Sequence, residues 1–536
     1  MYTAGLLVCA CMGLSVAPPP LSPGEDWWRT AVFYEIFVRS FADSTQGPLA
    51  GDGVGDLRGL LDRLDYLNDG DPHTADDLGV TGIWLMPIAQ SRSYHGYDVT
   101  DYRTVDDEYG TNEDFKALVA ACHARGIRVI LDTVMNHVGI DHPWFQQAID
   151  PASDKRDWFV WRDEPLTGEG APNHPVWHDK VRDRAGQYYY GFFWHGMPDL
   201  NLRSQAASEA MYDQCRYWIT DMGADGLRLD AVKHLIEDGV QFENTPQTIA
   251  WLRDFNRVMH QARPGVFLVG EVWDDTDVVA QYVNDGIDSA FEFSTCFAVE
   301  KGINAGKAET IARALDPSWK DLGGAASTMI GNHDMDRVMS RLGGNREKAA
   351  CAATIQFTAP GVPFIYYGEE IGMTGVKPDP DLRTPMQWTG DGERAGFTTG
   401  TPWKPVDSSV EQANVERQQT QPDSLFSTYR RLIALRQAEP ALHAGGFALL
   451  DAGDERVLVF VRSHARGRLL VVVNVSGDTL TGDWGVDAAS LGVKPGAALK
   501  ELLHNVPVLC PAHEVDPRWR ALGRLDPYTG YVVRLP

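Results

Sequence analysis

The sequence predicts an α/β fold: a (β/α)8 TIM barrel with a long insertion after its third strand and an antiparallel β-sandwich at its C-terminal end. Three observations carry this. Short apolar runs alternate with amphipathic stretches through most of the chain. Roughly sixty residues interrupt that rhythm once, longer than an ordinary connection. The last stretch reads as β only.

The elements follow in order. Residues 32–37 form an apolar run suited to a buried strand, and 57–67 carry apolar residues at helical spacing. A second strand is predicted over 82–86, then a helix over 113–125 and a third strand over 127–131. After the interruption, a helix over 209–222 precedes a strand over 226–229, and a helix over 248–261 precedes a strand over 266–269. Residues 289–293, 327–330 and 362–367 complete the set of eight, and eight strand–helix units imply a closed parallel barrel. Beyond Leu435, residues 456–461 and 469–475 read as paired strands, and 531–535 close the chain. The predicted organisation is a leader over 1–24, barrel over 25–137, insertion over 138–202, barrel again over 203–445, and sandwich over 446–536.

Composition narrows the function. Asp plus Glu exceed Lys plus Arg by 74 − 48, a net charge of −26, which repels phosphate backbones and anionic membranes. No nucleic-acid partner is expected. The 16 Trp, 18 Tyr and 20 Phe mostly build core, but exposed flat apolar faces on an acidic protein suit neutral hydroxylated ligands such as sugars. The seven cysteines are scattered with no CxxC pair, so neither a zinc knuckle nor a disulfide framework is indicated. Residues 4–17 are apolar, too short to span a bilayer, and followed by Pro18-Pro19-Pro20. They read as a secretory signal, so export is expected. Cys11, in Val8-Cys9-Ala10-Cys11, is a poor lipoprotein box and the weaker alternative. No later segment is long and apolar enough for a membrane span, and a monomer is expected.

In a barrel of this kind chemistry sits at the C-terminal ends of the strands. The third strand runs into Asp132-Thr133-Val134-Met135-Asn136-His137, the fourth into Arg228-Leu229-Asp230, the fifth into Gly270-Glu271, and the seventh into Asn332-His333-Asp334. Arg228 and Asp230 are two apart and share a strand face, where the cation favours an ionised carboxylate. The bland alternative is a set of helix N-caps. Four such ends together are better explained by glycoside hydrolysis, which needs one ionised and one protonated carboxyl group flanking the scissile bond.

These stretches, in this order and spacing, resemble the four sequence regions of the α-amylase family of glycoside hydrolases. The resemblance implies Asp230 as nucleophile, Glu271 as general acid/base and Asp334 as the group that holds the sugar hydroxyls. It implies that His137 and His333 bond the sugar, that Arg228 orients Asp230, and that Asp132 supports Arg228. Tyr97 and Asp98, in His95-Gly96-Tyr97-Asp98, match the family's aromatic platform, and Asp379 with Arg383 match a further subsite pair. Met197-Pro198-Asp199-Leu200-Asn201 is similar to the fifth region of a group between oligo-1,6-glucosidases and neopullulanases, whose members include secreted α-amylases. Lys233-His234 after the nucleophile is typical of true α-amylases, which use them on the leaving-group side.

The resemblance also implies calcium. Asn136, Asp199 and the His234 carbonyl match the family's site between domain B (the insertion) and the barrel, and calcium takes such oxygen ligands. A second candidate set is Asp43 with Asp52, Val54 and Asp56, which an inserted Gln46-Gly47-Pro48-Leu49-Ala50 interrupts; its alternative is hydrogen-bonded loop acids. The expected activity is retaining, endo-acting hydrolysis of α-1,4-glucosidic bonds in starch and maltooligosaccharides, with some transfer. An exo-acting α-glucosidase or glucanotransferase is the alternative within the family. A non-catalytic amylase-like binding protein is the alternative outside enzymology.

Overall fold

The computed structural model describes residues 26–74, 76–165, 174–179, 187–482, 484–509 and 519–536. The expected leader with Cys11 lies outside them. Eight parallel strands close a barrel: β1 (Phe33–Ile36), β2 (Gly82–Leu85), β3 (Arg128–Thr133), β4 (Gly226–Leu229), β5 (Phe267–Gly270), β6 (Ser289–Phe291), β7 (Ala326–Thr328) and β8 (Val362–Tyr366). β1 pairs with both β2 and β8, Phe33 standing opposite Gly82 on one side and Phe364 on the other. All eight predicted strands are present.

The differences from the sequence reading are local. The predicted helix over 57–67 is two pieces, Leu57–Asp62 and Leu64–Leu67, broken at Arg63. β6 stops at Phe291 because the Glu292 side chain accepts from Thr295 N and starts the next helix at Phe293. β3 extends to Thr133, two residues past its apolar run, because parallel pairing with β4 continues through Asp132 and Thr133.

The barrel interior is graded along its axis. At the N-terminal end Phe33 stacks on Phe364 at 4.5 Å and on Phe267 at 5.6 Å. Gly82 makes room for this layer, since a Cβ there would come within 2.5 Å of the Phe33 ring. Above it Trp84 contacts Phe291 at 5.3 Å and then meets His333 at 5.6 Å and the Arg228 guanidinium at 5.1 Å. Trp84 therefore separates a dry aromatic plug from a charged layer. That plug is why charges at the mouth are poorly solvated from below.

The insertion starts where His137 bridges Asp199. It holds a small antiparallel sheet, in which Tyr188–Tyr190 pairs with Trp161–Arg162 and with Trp177–His178. Phe145, Trp161 and Tyr189 pack as its core.

The C-terminal unit is a six-stranded antiparallel sheet in the order β9 (Gly446–Leu450), β10 (Val457–His464), β11 (Gly467–Asn474), β14 (Gly530–Leu535), β12 (Ala498–Glu501), β13 (Pro507–Leu509). Period-two alternation gives it two buried faces. Leu458, Phe460, Val471 and Val473 join the barrel's core, while Val457, Val459, Leu470 and Val472 join a second core with Trp484 and Leu525. Among the described residues this second layer is loop, held by the bridges Leu480–Leu525 and Val486–Trp519. Buried guanidiniums from the sheet and from the helix Leu425–Ala438 converge on one barrel helix. Arg462 donates to Thr358 O and Gly445 O, and Arg436 donates to Phe357 O, so both cap the carbonyl end of the helix Arg346–Thr358.

Candidate active site

The carboxylates converge as the strand ends predict. Asp132 is the penultimate residue of β3, Asp230 follows β4, Glu271 follows β5, and Asp334 lies in the loop after β7. One guanidinium organises the first three. Arg228 Nη1 contacts Asp132 at 2.8 and 3.0 Å and Asp230 Oδ1 at 2.7 Å, while Nη2 lies 2.9 Å from Glu271 Oε2. Arg228 and Asp132 are wholly buried, whereas the side chains of Asp230 and Glu271 are 11% and 13% exposed and so face the mouth.

A further donor comes from the backbone. Ala231 has φ 48°, in the left-handed region that residues other than glycine seldom occupy. In that conformation its N–H reaches Glu271 Oε2 at 3.0 Å. Strain here sits between the two central carboxylates, where such outliers tend to cluster.

The second half of the site hangs on His333. Its Nδ1 contacts Glu35 Oε1 on β1 at 2.5 Å, and its Nε2 lies 3.1 Å from Asp334 Oδ2 and 2.7 Å from the Tyr97 hydroxyl. Tyr97 donates to Asp132 Oδ2 at 3.0 Å and stacks on the His333 ring at 5.7 Å, linking the two halves. Arg383 donates to Asp334 Oδ1 at 2.9 Å and Asp379 Oδ2 at 3.3 Å, so the predicted subsite pair does reach the cluster.

The electrostatics follow from burial and partners. Burial works to lower His333, but Asp334 and Glu35 outweigh it and push the imidazole up to about 10. It is therefore an imidazolium at neutral pH. Burial works to raise Asp334, and His333 with Arg383 overcome it and hold that carboxyl far below the ordinary range. Asp230 behaves differently. Burial pushes it up to about 8 against the pull of Arg228, with the neighbouring Glu271 and Asp132 charges adding to the rise. Asp230 is thus held above the ordinary carboxylate range by burial, with Arg228 as the one partner that favours its charge.

Several expected sugar contacts have other partners. Asp98 is buried and its Oδ1 accepts from the Ser93 N–H and hydroxyl, so it closes its own loop. His137 directs Nε2 to the Tyr97 carbonyl at 3.1 Å and Nδ1 towards Asn136 Nδ2 at 3.3 Å. Burial pushes it down to about 3, so it is neutral and both nitrogens are engaged. Lys233 Nζ lies 3.0 Å from Trp273 O, 2.9 Å from Glu243 and 3.6 Å from Asp274. It thereby braces the loops after β4 and β5. The His234 ring stacks on Phe192 at 4.0 Å with Nδ1 3.0 Å from Phe242 O, packing the insertion onto the barrel.

The two metal-candidate sets differ. Asn136 Oδ1 and Asp199 Oδ2 are buried without a hydrogen-bond partner, and burial pushes the Asp199 carboxyl well up. Two orphaned acceptor oxygens side by side are the donor set a hard cation takes. The second set is satisfied internally. Asp43 accepts from Gly51 N and Gly53 N at 2.9 Å, and Asp52 accepts from Val54 N at 2.8 Å. Asp56 accepts from Ser44 N at 3.0 Å and from Arg58 N and Gly59 N at 2.9 and 2.8 Å. Asp56 is the N-cap of the helix Leu57–Asp62, so these acids also fold their own loop. Among the described residues no group of three or more His, Cys, Asp or Glu could hold a metal.

Glu35 and Trp84 were invisible as site residues, because each reads as one more position in a buried strand. Ala231 was invisible because no side chain advertises a left-handed backbone.

A parallel barrel with paired carboxylates at its C-terminal mouth defines a glycoside hydrolase architecture. Residues 35–445 match the α-amylase catalytic domain, and the chain belongs to that family of glycoside hydrolases. It is 36% identical to alpha-amylase 3 of Dictyoglomus thermophilum over 459 residues, covering 84% of this chain and 86% of that protein. It is 31% identical to an oligo-1,6-glucosidase of Heyndrickxia coagulans, covering 85% and 94%. The solved structure of an α-amylase from H. orenii superimposes with a TM-score of 0.80 at 37% identity, covering 94% of this chain and 99% of that one.

Proposed function

We propose that the protein is a retaining α-amylase that cuts α-1,4-glucosidic bonds within starch and maltooligosaccharides. One observation carries this: Asp230 and Glu271 sit on one guanidinium at the barrel mouth, both partly open to it. As the general acid Glu271 would deliver its proton from Oε1, since Oε2 already receives Arg228 and Ala231 N–H. Neutralising Glu271 removes its repulsion of Asp230, so Arg228 can hold Asp230 ionised for attack at the anomeric carbon. Glu271 protonates the leaving oxygen, the glycosyl group bonds to Asp230, and Glu271 then takes a proton from the water that hydrolyses it. Asp334, kept ionised by His333 and Arg383, accepts from sugar hydroxyls and faces the positive charge that builds on the ring.

The pH dependence follows. Asp230 must be ionised to attack, and burial with the neighbouring carboxylate charges pushes it up to about 8. The kcat/KM of the free enzyme should therefore rise with pH on its acidic side at higher pH than an ordinary carboxylate would give. An acidic limb in the ordinary carboxylate range contradicts the raised Asp230.

Internal cleavage is supported by the rim. The large apolar residues exposed among the described ones are Phe193, Trp194, Val240, Trp273 and Val376, all in the insertion or in loops after β4, β5 and β8. Such surface around a mouth suits a polymer that continues past the cleavage point. The similarity to an oligo-1,6-glucosidase favours a second reading, an exo-acting α-glucosidase. Iodine staining of soluble starch separates the two. Staining should fall well before reducing ends approach completion, whereas persistent staining with glucose as sole early product establishes the exo reading.

The same reading includes a calcium ion held by Asn136 Oδ1, Asp199 Oδ2 and the His234 carbonyl. Its support is the pair of buried oxygens without partners. When bound, the ion would supply the positive charge that an ionised Asp199 needs and tie the insertion to the barrel. Excess chelator should lower the melting temperature and the activity together, and calcium should restore both. An unchanged melting curve on an Asp199→Asn variant with and without calcium, alongside an unchanged wild type, contradicts the site. Export through residues 1–24 belongs to this proposal too. Among the described residues no helix is long and apolar enough to cross a membrane.

A further inference from the structure

Glu35 lies beneath the catalytic mouth and is 1% exposed, so no substrate can touch it. It points inward from β1 because Phe33, two residues before it, already packs inside the barrel, and side chains on a strand repeat every second residue. Its neighbours across the sheet are Trp84 and Tyr366. A carboxylate in that position is costly unless a cation meets it, and His333 does so through Nδ1 at 2.5 Å.

The contacts of His333 fix where its protons sit. Nδ1 faces Glu35 and Nε2 faces Asp334 Oδ2 at 3.1 Å, a carboxyl group on each side of one ring. Ionised carboxylates only accept, so both nitrogens donate and the ring is an imidazolium. The other neighbour of Nε2 is the Tyr97 hydroxyl at 2.7 Å, which has one proton to give. While Nε2 carries hydrogen, Tyr97 sends its own to Asp132 Oδ2 at 3.0 Å, and Asp132 holds Arg228 under the two central carboxylates. A bare Nε2 would compete for that proton and turn a lone pair on Asp334.

Around the ring, Asp132 adds negative charge from β3, while Arg228 from β4 and Arg383 beyond β8 add positive charge. Tyr366 is neutral and donates to Leu382 O. Burial works against the proton, so Asp334 and Glu35 are what hold it. Of these two, Asp334 is 31% exposed and meets the sugar, whereas Glu35 is sealed from it. We propose that Glu35 is a positioning residue of the active site. Its sealed carboxylate keeps both nitrogens of His333 protonated, so that His333 donates to Asp334 and the Tyr97 hydroxyl is turned towards Asp132. The inference rests on the hydrolase reading and adds a residue that acts through His333 without touching substrate.

Glu35→Gln keeps an acceptor oxygen for Nδ1 and removes only the charge. Nitrogen-15 NMR of histidine-labelled protein reads the two ring nitrogens, the His333 signals being those lost in a His333→Gln protein. In the wild type both should stay protonated at pH 8, and the midpoint for losing a proton should fall by about 1–3 pH units in Glu35→Gln. The ratio of variant to wild-type kcat/KM on starch should then decline as pH rises through the variant's midpoint, by about tenfold per pH unit above it. A merely structural defect lowers that ratio by one factor at every pH. Glu35→Asp restores the charge, so its midpoint should lie nearer the wild type's and its ratio should be flatter. A midpoint that does not move, or a ratio flat with pH, overturns the role. So does a neutral His333 in the wild type at pH 8, a result that needs no variant to fold. A protein that titrates as expected but turns over no starch fails the hydrolase reading alone, since the NMR signals need no substrate.

Discussion

Replacing Glu271 by Gln is expected to lower the turnover of starch by at least about 10²-fold while oligosaccharides still bind. Gln keeps the shape of the side chain and can still receive Arg228 and the Ala231 N–H on its amide oxygen. What it loses is the transferable proton, so the leaving oxygen departs as an alkoxide. Asp230→Asn should be equally inactive for a different reason, since an amide cannot attack the anomeric carbon. The two variants separate with an activated glycosyl fluoride. Its leaving group needs no acid, so Glu271→Gln should still be glycosylated by it, and Asp230→Asn should not. Steady-state starch turnover within a factor of about one hundred of wild type in either variant contradicts the assignment.

Arg228→Lys should be nearly as damaging, although it conserves charge. The guanidinium uses two nitrogens to reach Asp132, Asp230 and Glu271 at 2.7 to 3.0 Å, and a single ammonium cannot span them. Leaving a buried carboxylate without its partner costs about 3–5 kcal/mol, which calorimetry should register as a large fall in melting temperature. Misplacing the central pair by about an ångström costs about 10²-fold in rate. The direction of the pH response is fixed as well. Arg228 pulls Asp230 down, so weakening it lets Asp230 rise further and moves the acidic limb of the profile to higher pH. A variant with wild-type stability and an unmoved acidic limb contradicts the role given to Arg228.

The barrel and its central carboxylates were legible because both are written locally. A buried parallel strand is an apolar run, and the charged residue that ends it is where the chain meets the mouth. β6 and β7, three residues each, were the weakest to read because so short a run carries little periodicity. What the sequence could not disclose is who else competes for a side chain. His137, Lys233 and Asp98 have the right residue types at the right positions, but the Tyr97 carbonyl, Glu243 with Asp274, and Ser93 already hold them. Asp43 and Asp56 are read the same way from their residue type, and their partners are backbone N–H groups and, for Asp43, the Thr398 hydroxyl. The converse holds for Glu35, which looks like a strand residue until His333, nearly three hundred residues later, is placed beside it.

Retaining chemistry at Asp230 is the central claim, and trapping tests it most directly. The Glu271→Gln protein, mixed with an α-maltosyl fluoride, should accumulate a glycosyl enzyme, because the general base that activates water is gone. Peptide mass spectrometry should then place the sugar on the fragment carrying Asp230. An adduct on any other residue, or β-configured first products from the wild type by NMR, contradicts the account.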